Sequence, residues 1–285
     1  MKTIVECGAT KTDWRLVEND GILVERILTT GINVSTMKDE DVKETVSSTL
    51  ATLHDRGFLP DAFFLYTAGV LTPSIEKQLK EYFHEACPHA HIEVQTDLVG
   101  SARAVCGHHA GIAAILGTGS NSCFYDGEQI TEHINSGGYI IGDEGSAASL
   151  GRLFVADLIK GLVPTDIVKE FEKHHDISYE ALVGKIYGSP SPSGYLGSLA
   201  PYIYPYYEHP YIKKLVDTNF EAFITRSLLR YDVAHHPVGI VGGFGNACQQ
   251  IFTPIAQSYG ITISGYFAHP IERLIDYHCE KFIQR

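Results

Sequence analysis

Two short turns of glycine and hydroxyl residues constrain the fold of this chain more than any other sequence feature. The first turn is Gly8-Ala9-Thr10-Lys11-Thr12, which follows a short apolar run. The second is Gly117-Thr118-Gly119-Ser120-Asn121, which follows the apolar segment 112–116. A strand that ends in such a turn exposes backbone N–H groups, and glycine lets a phosphate group approach them closely. A single turn of this kind is usually an ordinary hairpin, but two at the starts of similar halves predict a duplicated fold around one polyphosphate.

Hydrophobic periodicity places the same order of elements after each turn. In the first half we predict strands at 3–7, 13–18, 21–30, 62–67 and 92–95, and helices at 40–55, from 73 onward and at 98–107. In the second half we predict strands at 111–116, 122–125, 129–135, 238–241 and 261–265, and helices at 144–162, 245–258 and 270–283. Strands that alternate with helices favour sheets covered on both faces, and the leading hairpin strands make each sheet mixed.

These patterns predict an α/β chain of two domains with a ligand cleft between them. The first domain is expected at residues 1–108 together with the closing helix at 270–285, and the second at residues 109–269. The second domain carries a helical insert at about 163–232, interrupted by a loop at 188–194. A tyrosine-rich stretch at 202–211 indicates either packing of the insert on its own domain or a subunit interface.

Charge and cysteine usage narrow the class of protein. The 285 residues include 22 Lys and Arg against 34 Asp and Glu, a net charge of −12, which argues against nucleic acid or an anionic membrane as the main partner. No apolar stretch approaches the roughly 20 residues of a membrane span, and no leader segment is visible. The six cysteines form no C-x-x-C pair, so we expect reduced thiols in a cytoplasmic protein.

Further residues with chemical potential follow predicted strands. A third glycine cluster, at 242–247, ends a strand and opens a helix, where backbone can approach a nucleotide. Asp97 follows the strand at 92–95 and is either a helix N-cap or a general base for a hydroxyl that attacks a phosphoryl group. Asp143 and Glu144 open the predicted helix at 144–162, and they either cap it or accept hydrogen bonds from a polyol.

Six blocks of the sequence occur in the order of one enzyme family. They are Glu6 to Thr12, Thr96-Asp97, Gly117 to Asn121, Gly137-Gly138-Tyr139, Gly142-Asp143-Glu144-Gly145-Ser146 and Gly242-Gly243. On these blocks the chain resembles the N-acetylglucosamine kinases among the BadF/BadG/BcrA/BcrD-type ATPases, within the superfamily of sugar kinases, actin and heat-shock chaperones. The resemblance implies two ribonuclease-H-like domains, ATP and Mg²⁺ as cofactors, an amino sugar as small-molecule substrate, and a homodimer.

The resemblance also implies roles for individual residues. Asp97 matches the catalytic base and a sugar contact. Nucleotide contacts are expected, from the turns and the resemblance together, at Gly8, Thr10, Lys11, Thr12, Gly117, Thr118, Gly119, Gly242, Gly243, Gly245, Asn246 and Ala247. Further sugar contacts are implied at Asn33, Asn121, Gly138, Tyr139 and Asp143. Tyr139 stands where many relatives have Trp, which alters packing around an acetamido group.

One departure from the family concerns the metal. The family usually has Asp where this chain has Glu6, and this acid is expected to hold Mg²⁺ through water. Glu is one methylene longer, and Mg²⁺ demands near-ideal octahedral geometry, so a water-bridged acid tolerates the change better than a direct ligand. The leading interpretation is an ATP-dependent kinase that phosphorylates N-acetylglucosamine at O6.

Two alternatives remain open at the level of sequence. One is an ATPase that activates a dehydratase through an iron–sulfur cluster held between subunits, with Cys106 and Cys123 near the domain boundary as its candidate cysteines. The other is a sugar-sensing module with weak turnover, which the exchange at Glu6 keeps open.

Overall fold

The computed structural model describes residues 1–8, 11–32, 34, 37–68 and 72–279 of the chain. Its strands are β1 (Lys2–Cys7), β2 (Lys11–Val17), β3 (Leu23–Thr30), β4 (Ala62–Thr67), β5 (His91–Thr96), β6 (Gly111–Leu116), β7 (Ser120–Tyr125), β8 (Ile130–Ile134), β9 (Val238–Val241) and β10 (Ile263–Phe267). Its α-helices are α1 (Asp39–Asp55), α2 (Pro73–Ala86), α3 (Asp97–Cys106), α4 (Gly138–Ile141), α5 (Ala147–Ile159), α6 (Thr165–Glu172), α7 (Tyr179–Tyr187), α8 (Pro192–Ser198), α9 (Pro210–Arg226), α10 (Gly243–Ala247), α11 (Gln249–Ser258) and α12 (Ile271–His278).

The two sheets share one strand order. The first sheet runs β3-β2-β1-β4-β5, and the second runs β8-β7-β6-β9-β10. In each sheet the first strand of the half is antiparallel to the second strand and parallel to the fourth. The duplicated fold of mixed five-stranded sheets flanked by helices, predicted from the paired turns, is therefore confirmed.

The chain forms two compact units. The first unit contains residues 1–109, 127–130 and 269–285, and the second contains residues 110–126 and 131–268. The cleft between the two domains stays a prediction. Within the part of the chain that the structure describes, every helix is too short or too polar to cross a bilayer.

Alternation along β1 builds the first unit in three layers. Val5 and Cys7 point to one face of the sheet, where they pack with Leu50 of α1 and Phe83 of α2. Ile4 points to the opposite face, in a cluster that includes residues of α3 and α12. Since successive side chains of a strand alternate between its faces, Glu6 shares the face of Ile4 and of α12.

Helix α12 comes from the far end of the chain and closes the first unit. The His278 Nε2 atom lies 2.7 Å from the Tyr66 hydroxyl, and Arg103 Nη1 donates to the same hydroxyl at 2.9 Å. Lys2 Nζ donates to the carbonyl oxygen of His278 at 2.5 Å. Burial lowers the pKa of His278 to about 3, so this imidazole is neutral at physiological pH. Helix α12 is thus attached to the sheet by buried polar contacts as well as by apolar packing.

The second unit has one large core on the α5 face of its sheet. Leu116 of β6 packs there with Phe154 of α5, Phe220 of α9 and Phe252 of α11. The tyrosine-rich stretch contributes side chains that are bonded inside the unit. Tyr207 donates to Asp217 at 2.7 Å, and Tyr211 donates to Asp157 at 2.8 Å. These contacts support packing of the insert on its own domain, and a homodimer stays a prediction.

Three predicted helical boundaries were wrong. The helix predicted at 144–162 begins only at Ala147, because Ser146 is its N-cap and accepts a hydrogen bond from Ser149 N–H at 3.1 Å. The loop predicted at 188–194 is shorter, because Pro192 occupies the first position of α8, where its missing N–H costs nothing. The helix predicted at 245–258 is two helices, α10 and α11, which meet at Cys248.

Candidate active site

The carboxyl ends of β1, β4 and β5 form one edge of the first sheet, which we call the first edge. Parallel pairing aligns Cys7, Thr67 and Thr96 across these three strands. Because neighbouring strands lie about 4.8 Å apart, residues that follow β1 and β5 are separated by roughly 10 Å. Asp97 and Gly8 are the residues that follow these strands, so both belong to the first edge.

Asp97 is the first residue of α3, but it does not cap that helix. The N-cap is Thr96, whose Oγ1 accepts a hydrogen bond from Val99 N–H at 3.2 Å. Burial raises the pKa of Asp97 to about 6, although the backbone N–H groups of Leu98 and Asp97 oppose the shift. Thr96, and not Asp97, is therefore the N-cap of α3. The carboxylate of Asp97 is more basic than that of an ordinary aspartate.

Glu6 is a half-buried carboxylate near the end of β1. Burial raises its pKa to about 7, and the negative charge of Asp13 adds to the shift. The charge of Lys11 and the backbone N–H of Ile271, at the start of α12, act in the opposite direction. Glu6 forms no ion pair with another described residue, so its negative charge is only partly compensated.

Asp13 lies opposite Glu6 in the antiparallel pairing of β1 and β2, and the sequence reasoning missed it. Arg15 donates to both of its oxygens at 2.8 and 3.1 Å, and Arg26 does so at 3.1 and 2.7 Å. Burial acts to raise the pKa of Asp13, but hydrogen bonds from the two arginines outweigh it and hold the pKa below its ordinary value. The alternation Asp13-x-Arg15 on one strand face was the only sequence signal for this cluster.

The first turn places Lys11 and Thr12 differently. Gly8 N–H donates to the carbonyl oxygen of Lys11 at 3.0 Å, and the Lys11 side chain is exposed at the start of β2. Thr12 is fully buried, and its hydroxyl accepts from Ile32 N–H at 3.0 Å. This hydroxyl is therefore already bonded inside the unit. The predicted contacts Thr10 and Asn33 lie outside the described residues.

The carboxyl ends of β6, β9 and β10 form the corresponding second edge. In the turn after β6, Gly117 N–H donates to the carbonyl oxygen of Gly119 at 2.9 Å. The first N–H groups of α5, those of Ala147 and Ala148, donate to the carbonyl oxygens of Gly117 and Thr118 at 3.0 and 3.1 Å. The turn is thus fixed by the start of α5, while the side chain of Thr118 is exposed.

The glycines that follow β9 differ in whether the structure leaves room for a side chain. Gly242 has φ +117°, and a Cβ atom there would lie 2.5 Å from the carbonyl oxygen of Leu116. A Cβ atom on Gly245 would lie 2.6 Å from Ile240 Cγ2, so this glycine is required by packing. A Cβ atom on Gly243 would meet nothing within 4 Å. Gly243 and Ala247 are exposed on one side of α10, while Asn246 is half-buried.

A strained loop precedes α5 and carries Asp143. Asp143 has φ +55°, the one left-handed residue other than glycine in the described chain. Its N–H donates to the carbonyl oxygen of Ser136 at 3.0 Å, and its Oδ1 lies 3.4 Å from Ser120 N. Burial raises the pKa of Asp143, and the charge of Glu144 adds to the shift. Backbone strain of this kind costs about 1–3 kcal/mol and is found mainly at functional sites.

The remaining predicted sugar contacts surround this loop within the second unit. Gly138 has φ +74° and opens α4, in which Tyr139 is half-buried against the core. Asn121 lies on β7, where its Oδ1 accepts from Ser122 N–H and lies 2.9 Å from His133 Nε2. Tyr139 also lines a groove of about 610 Å³ whose walls carry no carboxylate, so this groove is distinct from the Asp143 loop.

Comparisons with known proteins give the family. No protein-family model matches the chain, and no curated protein sequence matches it either. Among solved structures, a proposed N-acetylglucosamine kinase from Porphyromonas gingivalis is 33% identical, covers 99% of this chain and 100% of its own, and superposes with a TM-score of 0.92. The chain belongs to the N-acetylglucosamine kinase family of sugar kinases.

More distant structures share the fold of this kinase. A proposed N-acetylglucosamine kinase from Chromobacterium violaceum is 20% identical, with 97% of this chain and 98% of its own covered and a TM-score of 0.69. A ROK family glucokinase from Streptomyces griseus, solved with glucose and AMPPNP, is 15% identical, with 97% of each chain covered and a TM-score of 0.60. The family predicted from the six sequence blocks is confirmed, as is the class of enzyme.

Proposed function

We propose that this sugar kinase transfers the γ-phosphoryl group of ATP to O6 of N-acetylglucosamine, with Asp97 as the general base. The observation that carries the proposal is Asp97 itself. It follows a strand at the first edge, Thr96 caps the helix in its place, and burial raises its pKa to about 6. Such a carboxylate is ionised at neutral pH and still basic enough to accept a proton from a hydroxyl.

In the proposed reaction, Asp97 takes the hydroxyl proton while the sugar oxygen forms a bond to the γ-phosphorus. The bond between that phosphorus and the bridging oxygen breaks, and ADP leaves with the electron pair. Positioning and charge stabilisation supply most of the catalysis in such transfers. Exposed Lys11 and the Gly117–Gly119 turn are the proposed phosphate contacts, and the open side of α10 at Gly243 and Ala247 is the proposed contact for adenosine. Thr12 holds the segment after β3 through Ile32.

Mg²⁺ fits Glu6 as a partner reached through water. The raised pKa of Glu6 reports a carboxylate whose charge lacks full compensation, which a divalent cation would supply. Among the described residues no group of three or more His, Cys, Asp or Glu side chains could hold a metal. One carboxylate together with substrate phosphates and water is a usual set for Mg²⁺. When bound, Mg²⁺ would neutralise charge on the phosphate oxygens.

The sugar contacts proposed in the second unit are Asn121, Gly138, Tyr139 and Asp143. Asp143 is 8% exposed and held in a strained conformation, which supports a role as a fixed acceptor for sugar hydroxyls. A site built to pair with hydroxyls rejects sugars that lack them, because its buried polar groups would then be unpaired. This gives Asp143 a direct influence on substrate choice.

The test is a panel of N-acetylglucosamine, N-acetylmuramic acid, glucosamine and glucose in a coupled assay of ADP release. We expect the highest kcat/KM with N-acetylglucosamine and a sugar 6-phosphate as product. The substrate assignment fails if another sugar of the panel is preferred. Release of ADP without any sugar phosphate would remove the kinase assignment and favour a sensing module.

The alternative of a dehydratase activator is less compatible with the cysteines. Cys106 is 3% exposed and Cys123 is 0% exposed, so neither thiol is available to a cluster shared between subunits. Metal analysis and an absorption spectrum of the purified protein test this alternative. We expect neither iron nor visible colour, and an iron–sulfur spectrum would favour the activator.

A further inference from the structure

One stripe of helix α9 contacts the loop that carries Asp143. Asn219, Phe223 and Arg226 lie on this stripe, because residues four and seven positions apart share one helix face. Their partners are three consecutive residues of the loop: Asn219 bonds to Gly145 and Ser146, Phe223 packs on Gly145, and Arg226 pairs with Glu144. Helix α9 belongs to the run of helices between β8 and β9, where the described part of the first unit has α1 between β3 and β4.

Asn219 makes the most demanding of these contacts. Its Oδ1 accepts from Gly145 N–H at 3.1 Å, and its Nδ2 donates to the carbonyl oxygen of Ser146 at 3.1 Å. The side chain is 1% exposed, so water cannot replace either bond. The side-chain amide accepts through its oxygen and donates through its nitrogen, so one rigid group makes both bonds. A buried asparagine with both ends bonded to adjacent backbone groups is therefore a specific clamp.

The backbone groups that Asn219 bonds, those of Gly145 and Ser146, lie where the Asp143 loop joins the start of α5. On their N-terminal side is Asp143, whose carbonyl oxygen accepts from Ser146 N–H at 3.1 Å. On their C-terminal side are Ala147 and Ala148, whose N–H groups hold the turn after β6. Gly145 cannot be replaced without collision, since its φ is +79° and a Cβ atom would lie 2.6 Å from Phe223 Cβ. The clamp thus fixes the strained loop and the start of α5 together.

We propose that Asn219 is a positioning residue that holds Asp143 in the conformation that binds the sugar. The inference rests on the proposed function, because it takes Asp143 to be a sugar contact. It adds a role for the insert: helix α9 sets the shape of the sugar site. Arg226 adds little to this role, because it is mostly exposed in its pair with Glu144.

The experiment compares Asn219→Ala and Asn219→Asp with the control Val216→Ala, a fully buried position on the same helix. Sugar affinity is measured by calorimetry with N-acetylglucosamine, and KM is measured for sugar and for ATP. Amide hydrogen exchange is followed in the peptide that contains Gly145 and Ser146. For Asn219→Ala we expect at least a tenfold loss of sugar affinity, equivalent to about 1.4 kcal/mol, a smaller change in the KM for ATP, and faster exchange in that peptide.

The Asn219→Asp variant tests the donor half of the clamp. An ionised carboxylate keeps the acceptor for Gly145 N–H but repels the carbonyl oxygen of Ser146, whereas a protonated carboxyl can donate to it. Because complete burial raises the pKa of a carboxyl by up to about 3–5 units, sugar affinity of this variant should partly recover as the pH is lowered from about 8 to about 6, a recovery that wild type and Val216→Ala do not show. A variant that is merely unstable would show no such recovery.

The outcomes separate the inference from the function on which it rests. If exchange at Gly145 and Ser146 is unchanged in both Asn219 variants, or if sugar affinity falls no more than in Val216→Ala, the positioning role is wrong. If wild type binds no N-acetylglucosamine, the proposed substrate is wrong, and hydrogen exchange still decides whether Asn219 holds the loop. If Asn219→Ala fails to fold, Asn219→Asp at low pH provides the same comparison with nearly the native side-chain volume.

Discussion

The first and second edges have the same topology and different chemistry. The first edge carries side-chain charge: Glu6 and Asp97 are carboxylates whose pKa values burial raises, and Lys11 is an exposed cation. The second edge is built mainly from backbone, with the turn at 117–119 and the tight glycine at 242, and the buried carboxylate of Asp143 reaches the turn from the loop before α5. The same sheet topology thus carries two kinds of edge.

The difference shows how each kind of surface is kept in place. A backbone surface needs glycine and close neighbours, and here Leu116, Ala147 and Ala148 supply the contacts. At the first edge the carboxylates are partly withdrawn from water, and burial of a charge costs stability whenever that charge lacks a partner. The two edges should therefore respond differently to substitution: loss of charge should remove activity and leave the fold intact, whereas added bulk at the second edge should damage the fold.

The largest effect is expected at Asp97. Asp97→Asn removes the proposed base while keeping the side-chain volume, so kcat should fall by roughly 10²–10⁴-fold. The coupled ADP assay at saturating sugar measures the change, and the melting midpoint should not fall. Wild-type kcat/KM should also decrease as the pH drops below about 6, because the carboxylate of the free enzyme, with its pKa of about 6, becomes protonated. Undiminished turnover in Asp97→Asn would break the assignment of charge chemistry to the first edge.

The next effect is expected from a pair of neighbouring glycines at the second edge. Gly242→Ala places a Cβ atom against Leu116 at a backbone conformation that only glycine adopts easily, so we expect about 2–5 kcal/mol of destabilisation. Gly243→Ala is the matched control, since a Cβ atom there enters open space. Chemical denaturation followed by circular dichroism compares the two.

Gly243→Ala also sharpens the nucleotide assignment. If adenosine approaches this position, the KM for ATP should rise in Gly243→Ala without a change in stability. Equal stability of the two glycine variants would contradict the view that packing, rather than ligand contact, fixes Gly242.

A smaller effect on stability is expected from Glu6→Gln, and it is a gain of stability, unlike the loss expected from Gly242→Ala. Its folded-state pKa of about 7 lies above the ordinary 4.5, so the folded protein binds more protons than the unfolded chain between these values, and stability is lost as the pH rises through them. Glu6→Gln removes this cost and should stabilise the protein by about 1–3 kcal/mol at pH 8, with little difference at pH 4.

The same Glu6→Gln variant should lose Mg²⁺-dependent turnover. Melting curves at both pH values, beside a titration of activity with Mg²⁺, provide the measurement. A variant that is less stable than wild type at pH 8 would show that Glu6 is already compensated in the folded chain.

The smallest effect is expected at Arg226. Its ion pair with Glu144 involves a side chain that is 67% exposed, so Arg226→Ala should change stability by less than about 0.5 kcal/mol and leave the KM for the sugar nearly unchanged. A large rise in the KM for the sugar would mean that surface charge, as well as buried amide contacts, holds the second edge.

Local sequence patterns were sufficient for most of the sheets. The strands at 62–67, 111–116 and 238–241 were predicted to the residue, because each is a short apolar run between turn signals. The position of Asp97 after a parallel strand also followed from sequence. The sequence did not show that Asp97 is not the N-cap of α3. Thr96 and Asp97 are both good N-cap residues, and only the structure shows which of them bonds to Val99.

Contacts distant in sequence explain what the patterns missed. The start of α5 was predicted too early because Asp143 and Glu144 also suit a helix start, although Ser146 is the actual N-cap. The bonds that mark the end of the preceding loop come from Asn219, which is distant in the chain. Asp13 was overlooked because its second partner, Arg26, meets it only after β2 and β3 pair. The start of α8 at Pro192 had a signal in the sequence, a proline after a serine. The Gly, Ser and Pro residues around it are typical of a loop, so the segment was predicted as one.

The return of α12 to the first sheet has a consequence for the synthesis of the chain. Ile4 and Tyr66 belong to the earliest part of the polypeptide, yet their cover, Ile271 and Leu274, is translated only after every strand that the structure describes. The first unit therefore cannot be completed while the ribosome is still making the second. A product that terminates before α12 would lose the apolar cover of Ile271 and Leu274 and leave Glu6 without the Ile271 N–H, so we expect it to be less stable than the full chain.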